Sequence, residues 1–247
     1  MKKNIKFSVI TCCKNSMPHL TQNIKSVEKQ SFKNYEHIFI LSNSNDQTEN
    51  FLKRKKKKII KFNSKNIYKC INLGIKKSKG EIIYLLHSDD QIISKDLFYI
   101  INSTFNKNKI DFIYGNCNII KRFDTKKTIR KWKSKQIGNE KFFEINLPAH
   151  TTFFIKKKIF KKFKYDTAFN ISSDYDFLIK LFTKYKGKYL SRFFIKMRTG
   201  GKSSLMKNFK IKMFEDFKIL KKYYKFSYII IYFLKLIFRL KQKLTFL

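Results

Sequence analysis

An apolar run that ends in two adjacent carboxylates restricts the fold of this chain more than any other feature. Residues 82–86 are Ile, Ile, Tyr, Leu and Leu, and Asp89 and Asp90 follow after His87 and Ser88. A strand with five consecutive apolar side chains is stable where both of its faces are covered, as in a parallel α/β sheet. Ligands of such sheets bind at the carboxyl ends of the strands, where the two aspartates lie. Because neighbouring like charges repel, the pair predicts a divalent cation and an anionic ligand.

Strand and helix patterns alternate along the first half of the chain. Strands are predicted at residues 7–11, 35–41, 59–62, 81–86 and 112–114, with helical apolar spacings between them. This alternation is typical of right-handed βαβ units around a mostly parallel sheet. From residue 115 to 200 the pattern is mixed, with strands predicted at 151–155 and 188–197 and a helix at 174–186. We therefore expect an α/β fold with a Rossmann-like parallel half and a mixed second half.

The chain is strongly basic, with 56 lysines and arginines against 17 acids and a formal net charge of +39. Such a charge would suit a nucleic-acid partner or an anionic membrane. The lysines are spread along the whole chain, and the sequence has no zinc-ligand spacing, RNP-like strand or helix-turn-helix pattern, so we expect no nucleic-acid partner. The four cysteines also lack metal-ligand spacing and no signal peptide is visible, which favours a reducing, cytoplasmic setting.

Residues 205–247 differ from the rest of the chain and are predicted to form a basic amphipathic helical tail. An apolar helical stripe lies between lysines in residues 206–224, and a second apolar run, residues 228–238, is interrupted only by Lys235. Three basic residues follow this run: Arg239, Lys241 and Lys243. As a helix, the second run would cover only ~16 Å, about half of a bilayer core. We therefore expect the tail to lie on an anionic membrane surface, with packing of the tail on the globular domain as the alternative.

Four polar motifs lie at the ends of predicted strands or at the start of the predicted helix at 174. They are Val9-Ile10-Thr11 with Lys14-Asn15, Ser44-Asn45-Asp46-Gln47-Thr48, His87-Ser88-Asp89-Asp90, and Ser172-Ser173-Asp174-Tyr175-Asp176. In this order, they make the chain from Ile5 to Ser204 resemble a family-2 glycosyltransferase of the GT-A fold, of the bacterial type that builds surface polysaccharides. The resemblance implies a GT-A domain at residues 1–204, with the mixed half of the sheet on the acceptor side. It further implies inverting transfer of a hexose or N-acetylhexosamine from a nucleotide-sugar, a UDP-sugar, to a growing lipid-linked glycan.

The resemblance assigns the chemistry to three aspartates. Asp89 and Asp90 match residues that hold a Mn²⁺ or Mg²⁺ ion, which bridges the donor's diphosphate and acts as a Lewis acid. The alternative for this pair is a solvated turn, with Asp96 capping the helix that follows. Asp174 matches the catalytic base that takes a proton from the acceptor hydroxyl, and the alternative is that it only caps its helix. Asp176 is interpreted as a first-turn acid favoured by the helix dipole.

The other predicted site residues also follow from the resemblance. The predicted donor-binding residues are Thr11, Lys14, Asn15, Asn43, Asp46, Asn72, Asp89 and Arg198. His150 matches a position on the acceptor side, with a core histidine as an equally good interpretation. The segment Gly200-Gly201-Lys202-Ser203 matches a loop near the donor phosphates that could close as a lid, and the alternative is a plain glycine turn.

Four positions depart from the family pattern, and they concern nucleotide recognition. An acid near the nucleobase is replaced by Leu41 or Ser42, a stacking aromatic by Lys14, an aspartate by Lys69, and an asparagine or aspartate by His87. These departures leave the nucleobase open, and they leave an inactive scaffold at the membrane as an alternative function. Together with the basic tail, the resemblance predicts an enzyme that is peripheral at the cytoplasmic face of the plasma membrane.

Overall fold

The structure is a computed structural model that describes residues 5–138, 143–201 and 206–244. Its strands are β1 (Phe7–Cys13), β2 (Tyr35–Leu41), β3 (Lys58–Lys61), β4 (Ile82–Leu85), β5 (Gln91–Ile92), β6 (Phe112–Ile120), β7 (Thr128–Trp132), β8 (Phe154–Lys156) and β9 (Gly187–Arg198). Its helices are α1 (Leu20–Glu28), α2 (Thr48–Arg54), α3 (Ile67–Lys77), α4 (Leu97–Lys107), α5 (Ser173–Lys184), α6 (Met206–Tyr223) and α7 (Tyr228–Leu244). Short 3₁₀ segments lie between β7 and α5, at Phe143–Asn146, His150–Thr152 and Lys157–Lys161.

The nine strands found in the described residues form one sheet. Its order is β3-β2-β1-β4-β8-β6-β9-β5, with β7 paired to β6. The first four strands are parallel to one another. Further along the sheet, β8 is antiparallel to both of its neighbours, β9 is parallel to β6, and β5 is antiparallel to β9. The predicted α/β fold, with a parallel first half and a mixed second half, is confirmed.

Helices cover both faces of the sheet, which explains the apolar run on β4. All four residues of β4 are buried. Ile83 and Leu85 lie in a core cluster with residues of α3 and α5, whereas Ile82 and Tyr84 lie in a second cluster with residues of α4. The ring of Tyr84 stacks on that of Phe154, with centroids 4.1 Å apart. Because β4 is packed on both faces, the acidic motif that follows it starts from a firmly held position.

The segment before β8 differs from the prediction. A strand was expected over residues 151–155, but His150–Thr152 forms a 3₁₀ turn and the strand begins only at Phe154. The backbone N–H and the hydroxyl of Thr152 both donate to the carbonyl of Ala149, at 2.9 and 2.8 Å. Threonine has a high strand propensity, but here its side chain closes a local turn instead. Thr151 and Thr152 therefore lie in this turn rather than in the strand.

The predicted tail forms two helices, α6 and α7, and both pack on the α/β domain. Ile219 and Leu220 of α6 and Ile231 of α7 are fully buried. Lys235, which interrupts the apolar run in the sequence, has its Nζ 3.2 Å from Oδ2 of Asp216, and both side chains are almost completely buried. The inner faces of α6 and α7 therefore pack on the domain, as the alternative interpretation of the tail predicted.

The outer face of α7 and the turn before it remain apolar and exposed. Phe226 is 91% exposed, Ile230 and Phe233 are 59% exposed, and Ile237 is 49% exposed. The side chains of four residues named in the tail prediction lie outside the described ones: Met206, Arg239, Lys241 and Lys243. In the described parts of the chain, no helix combines the length and the apolar character needed to cross a bilayer.

Candidate active site

A cavity of about 870 Å³ lies at the carboxyl ends of β1, β2 and β4, the edge at which open α/β sheets bind ligands. Lys14 and Asn15 line it after β1, and residues 87–90 line it after β4. His150, from the 3₁₀ turn, and Asp174, from the first turn of α5, line the same cavity. The C-terminal helices add Lys212, Lys235 and Phe238 to the lining. The two predicted acidic motifs therefore meet in one site, although they are far apart in sequence.

The two acids that follow β4 have different surroundings. The side chain of Asp89 is 22% exposed, and its Oδ2 lies 3.4 Å from Nη1 of Arg122. Asp90 is only 1% exposed, and its Oδ1 accepts a hydrogen bond of 3.3 Å from the backbone N–H of Arg198. Oδ2 of Asp90 is buried without a hydrogen-bond partner among the described residues. Burial, with the nearby charge of Asp89, raises the pKa of Asp90 well above its usual range.

Two arginines lie next to Asp89 in the cavity lining. The guanidinium of Arg198 donates to the backbone carbonyl of Asp89 and to the side chain of Gln22, and its Nε donates to the carbonyl of Arg122 at 2.9 Å. Arg122 in turn donates to the carbonyl of Thr199 at 3.2 Å. Burial lowers the pKa of Arg198. Arginines fixed in this way suit recognition of phosphate oxygens.

The residues at the end of β4 fit a divalent cation that takes most of its ligands from phosphate oxygens and water. Among the described residues, no group of three or more His, Cys, Asp or Glu side chains is placed to hold a metal ion. Mg²⁺ in nucleotide sites is commonly held by one or two carboxylates together with phosphate oxygens and water. The carboxylate of Asp89 and the unpartnered Oδ2 of Asp90 provide the one or two carboxylate ligands that such a site needs.

Asp174 is held as an ionised carboxylate in the same cavity. Its side chain is 25% exposed, and its Oδ2 lies 3.1 Å from Nδ1 of His150. Oδ1 lies 3.1 Å from the oxygen of the Tyr68 hydroxyl, whose one proton is shared between Asp174 and the carbonyl of Ile171. Burial acts to raise the pKa of Asp174, but the hydrogen bond and charge of His150, with Lys212 and Tyr68, hold it well below the usual range. The group is therefore available to accept a proton at neutral pH.

Two histidines connect Asp174 to the acidic motif after β4. Nε2 of His150 and Nε2 of His87 are 3.1 Å apart, and Nδ1 of His87 lies 3.8 Å from Oδ2 of Asp90. Loss of hydration, followed by the charge of His150, lowers the pKa of His87 to about 4. His150 therefore faces Asp174 with Nδ1 and His87 with Nε2. This arrangement orients the carboxylate of Asp174 toward the cavity.

The structure brings some of the predicted donor-binding residues to the cavity and not others. Thr11 is fully buried and bonded to a histidine of β2 at 2.9 Å. Asp46 accepts hydrogen bonds from two backbone N–H groups, each at 3.0 Å, and Asn72 is bonded on both sides to the backbone of Tyr165. The cavity lining includes neither these three residues nor Asn43. The side chains of Asp46 and Asn72 hold the surrounding loops, because backbone groups occupy their polar atoms. The predicted residues that do line the cavity are Lys14, Asn15, Asp89, Asp90, His150, Asp174 and Arg198.

The lining also contains residues that were not predicted from the sequence, and three of them contact the predicted acids or histidine: Tyr68, His87 and Arg122. Tyr68 lies next to Lys69, and His87 is itself one of the departures from the family pattern, but neither was predicted to take part in the site. Arg122 comes from the turn after β6, where no motif marks it. Of the predicted glycine-rich loop, Gly200 and Gly201 line the cavity, whereas Lys202 and Ser203 lie outside the described residues. Gly200 has a positive φ of 86°, a backbone conformation that favours glycine.

Comparison with known proteins identifies relatives in sequence. Residues 8–164 match the family described as Glycosyl transferase family 2. A protein of Methanocaldococcus jannaschii, named Uncharacterized glycosyltransferase MJ1057, is 29% identical over 222 residues, which cover 84% of this chain and 75% of that protein. The family match spans β1 to β8 and therefore includes Asp89, Asp90 and His150.

Solved structures of TarS from S. aureus have a similar fold. TarS 1–349 in complex with UDP-GlcNAc has a TM-score of 0.67 at 17% identity, and the match covers 87% of this chain and 66% of that one. The complex of TarS 1–349 with UDP gives a TM-score of 0.66 at 17% identity, covering 87% and 64%. In the longer TarS structure, the chain spans only 39% of the residues. The likeness confirms the predicted GT-A fold.

Proposed function

The chain belongs to glycosyl transferase family 2, and we propose that it moves a sugar from a UDP-sugar to a hydroxyl of a growing glycan, with inversion at the anomeric carbon. The observation that best supports this proposal is that Asp174 lines one cavity together with Asp89, Arg122 and Arg198. The transfer needs a carboxylate that accepts a proton and cationic groups that stabilise a departing diphosphate. This cavity contains both.

In the proposed reaction, Asp174 acts as the general base. The acceptor hydroxyl gives its proton to the carboxylate as its oxygen forms the new bond to the anomeric carbon. The bond from that carbon to the diphosphate oxygen breaks on the opposite side, and its electron pair leaves with UDP. His150 and Tyr68, each 3.1 Å from a carboxylate oxygen of Asp174, hold the base in its orientation. A base already fixed in this way loses little entropy when the acceptor binds.

The donor diphosphate is assigned to the wall formed by Asp89, Arg122 and Arg198. Arg122 and Arg198 would bind phosphate oxygens and stabilise the charge that develops on UDP. Asp89 and Asp90 would hold a Mn²⁺ or Mg²⁺ ion, which would neutralise charge on the same leaving group. The uridine is assigned to the part of the cavity near Lys14 and Asn15, at the end of β1. The UDP and UDP-GlcNAc complexes of TarS support a uridine donor and an N-acetylhexosamine or hexose as the sugar.

A thermal-shift measurement tests the donor assignment. UDP at about 100 times its dissociation constant stabilises a protein by about 2.7 kcal/mol, which for a chain of this size raises Tm by roughly 5–10 °C. We expect this shift with UDP and Mn²⁺, a smaller shift with UDP and EDTA, and none with ADP and Mn²⁺ at the same concentration. Equal shifts with ADP and UDP would contradict the uridine assignment, and the absence of any shift with either nucleotide would contradict nucleotide binding.

We further propose that the acceptor is lipid-linked and that the enzyme sits at the cytoplasmic face of the plasma membrane. Four exposed apolar side chains on one side of the α7 region, Phe226, Ile230, Phe233 and Ile237, recur at helical spacing. Exposed lysines stand in the chain just before them, and the whole chain has a formal net charge of +39. An apolar helix face with basic flanks is suited to the interface of an anionic bilayer.

A variant with Phe226→Ser and Phe233→Ser should bind anionic vesicles at least ~10-fold more weakly than the wild type. Burial of one Phe side chain contributes about 1.5–3 kcal/mol, and 1.4 kcal/mol is a factor of about ten. Sedimentation with phosphatidylglycerol vesicles at low salt measures the binding. Tyr99→Ser is the matched control, because Tyr99 is an aromatic side chain on α4 with 62% exposure. Wild-type protein that stays in solution with these vesicles at low salt would contradict the membrane proposal.

A further inference from the structure

We propose that Glu215 of α6 is a positioning residue for the base Asp174, an inference that rests on the proposed function. Glu215 is only 6% exposed. Its carboxylate accepts hydrogen bonds from three consecutive backbone N–H groups, those of Asn170 at 2.8 Å, Ile171 at 2.9 Å and Ser172 at 2.8 Å. These residues lead directly into α5, in which Asp174 is the second residue. The side chain of Glu215 therefore fixes the backbone of residues 170–172, which sets the position of Asp174.

The arrangement specifically requires a carboxylate. Three amide donors converge on one side chain, with Oε2 accepting two of the hydrogen bonds and Oε1 the third. A carboxylate has acceptors only, whereas a glutamine would direct an NH₂ group at one or more of these N–H groups. Hydrogen bonds to an ionised acceptor are also stronger than neutral ones. The negative charge next to the N-terminus of α5 is favourable to the helix dipole.

The segment held by Glu215 also determines the contacts of the Asp174 side chain. The carbonyl of Ile171 accepts a hydrogen bond of 2.5 Å from the hydroxyl of Tyr68, and the same hydroxyl lies 3.1 Å from Oδ1 of Asp174. A shift of this backbone would therefore move the carboxylate and the phenol together, away from His150. Displacements of about 1 Å in a reacting group can reduce rates by about 100-fold.

α6 is held against the domain by contacts that do not involve Glu215. Ile219 and Leu220 are fully buried, and the hydroxyl of Tyr223 donates a hydrogen bond of 2.7 Å to Asp176. The ion pair of Asp216 and Lys235 joins α6 to α7. Because these contacts remain when Glu215 is changed, the effect of Glu215 on Asp174 can be separated from the docking of the helix.

The experiment uses the full-length Glu215→Gln protein and two independent measurements. Hydrogen exchange of the backbone amides at residues 170–172 should become at least ~10-fold faster, because their acceptor is weakened. The kcat for UDP release from UDP-GlcNAc, or from whichever UDP-hexose turns over fastest, should fall by about 10- to 100-fold. KM for that donor should stay within about twofold, since the phosphate-binding wall is unchanged. Glu81→Gln, which changes a carboxylate that is 53% exposed, is the control and should alter neither measurement.

The same change in an Asp174→Asn background separates positioning from general damage. If Glu215 acts through Asp174, Glu215→Gln should cause no further loss in the residual rate of Asp174→Asn. A wild-type kcat for Glu215→Gln, or an equal further loss in the Asp174→Asn background, would overturn the positioning role. If Glu215→Gln does not fold, Glu215→Asp keeps the charge and should show a kcat between those of the wild type and Asp174→Asn. Unfolding of both variants would also overturn the positioning role. Failure of the proposed function is distinguishable, because Asp174→Asn alone would then keep its transfer rate.

Discussion

An Asp174→Asn enzyme should transfer sugar about 10²- to 10⁴-fold more slowly than the wild type, while its binding of UDP stays unchanged. Asparagine retains the shape of the side chain and an oxygen that can accept from the Tyr68 hydroxyl, but it cannot take a proton from the acceptor. Because no hydrogen bond or ion pair found among the described residues joins Asp174 to Arg122 or Arg198, the proposed phosphate contacts and the UDP affinity should not change. Initial rates of UDP release and the UDP-induced shift in Tm measure the two quantities separately.

Ionisation of Asp174 should leave no step in the pH dependence of the rate near neutral pH. The pKa of Asp174 is held well below its usual range by His150, so its carboxylate remains ionised throughout the range between about pH 5 and pH 7. A loss of kcat between about pH 7 and pH 5 would therefore not report protonation of Asp174.

Asp96→Asn is a suitable control for Asp174→Asn, since Asp96 lies at the start of α4 and is not part of the cavity lining. Near-wild-type transfer by Asp174→Asn would assign the base to another residue.

Asp89→Asn should lower kcat by about 100-fold or more, as the loss of several kcal/mol of charge stabilisation on the leaving group implies. It should also remove the difference between the Tm shifts that UDP causes with Mn²⁺ and with EDTA. Asp89 is the more informative of the two acids because its side chain is 22% exposed to the cavity. Asp90 is 1% exposed and accepts a hydrogen bond from the backbone of Arg198, so changing it would also disturb the backbone near β9.

The control for Asp89→Asn is Asp111→Asn, a change at a carboxylate that is also 22% exposed and whose partner is Lys158. This variant should bind UDP with the same dependence on Mn²⁺ as the wild type. If Asp89→Asn retains the full Mn²⁺-dependent Tm shift with UDP, the proposed ion does not depend on Asp89. Arg122 and Arg198 would then account for diphosphate binding without it.

The parallel half of the sheet could be predicted from sequence because each strand is a local signal. The apolar run on β4 and the alternation of strands and helices need no knowledge of distant contacts. The 3₁₀ turn at His150–Thr152 could not be predicted in this way, because the threonines favour a strand while the actual structure depends on hydrogen bonds to Ala149. The short strand β5 depends on pairing with β9, which lies about a hundred residues later in the chain.

The site was predictable where a motif follows a strand and not where a single side chain enters from a loop. The motifs containing Asp89 and Asp174 do meet in one cavity. Arg122 enters from the turn after β6 without any local pattern, and only the folded sheet brings it within 3.4 Å of Asp89. Thr11 was assigned to the donor site, but strand alternation alone does not determine which face of β1 meets the cavity. The burial of Lys235 could not be predicted from the sequence, because its partner, Asp216, belongs to another helix.

The inner contacts of α6 and α7 mean that the C-terminal segment is not a detachable module. Cutting the chain near residue 204 would remove Glu215 from the loop before α5 and would expose the apolar surface that Ile219, Leu220 and Ile231 now cover. An enzyme shortened in this way should lose activity even in detergent solution, where no membrane is needed. Loss of function on truncation would therefore say nothing about anchoring. Point substitutions on the outward-facing side of α7 are the informative way to separate catalysis from attachment.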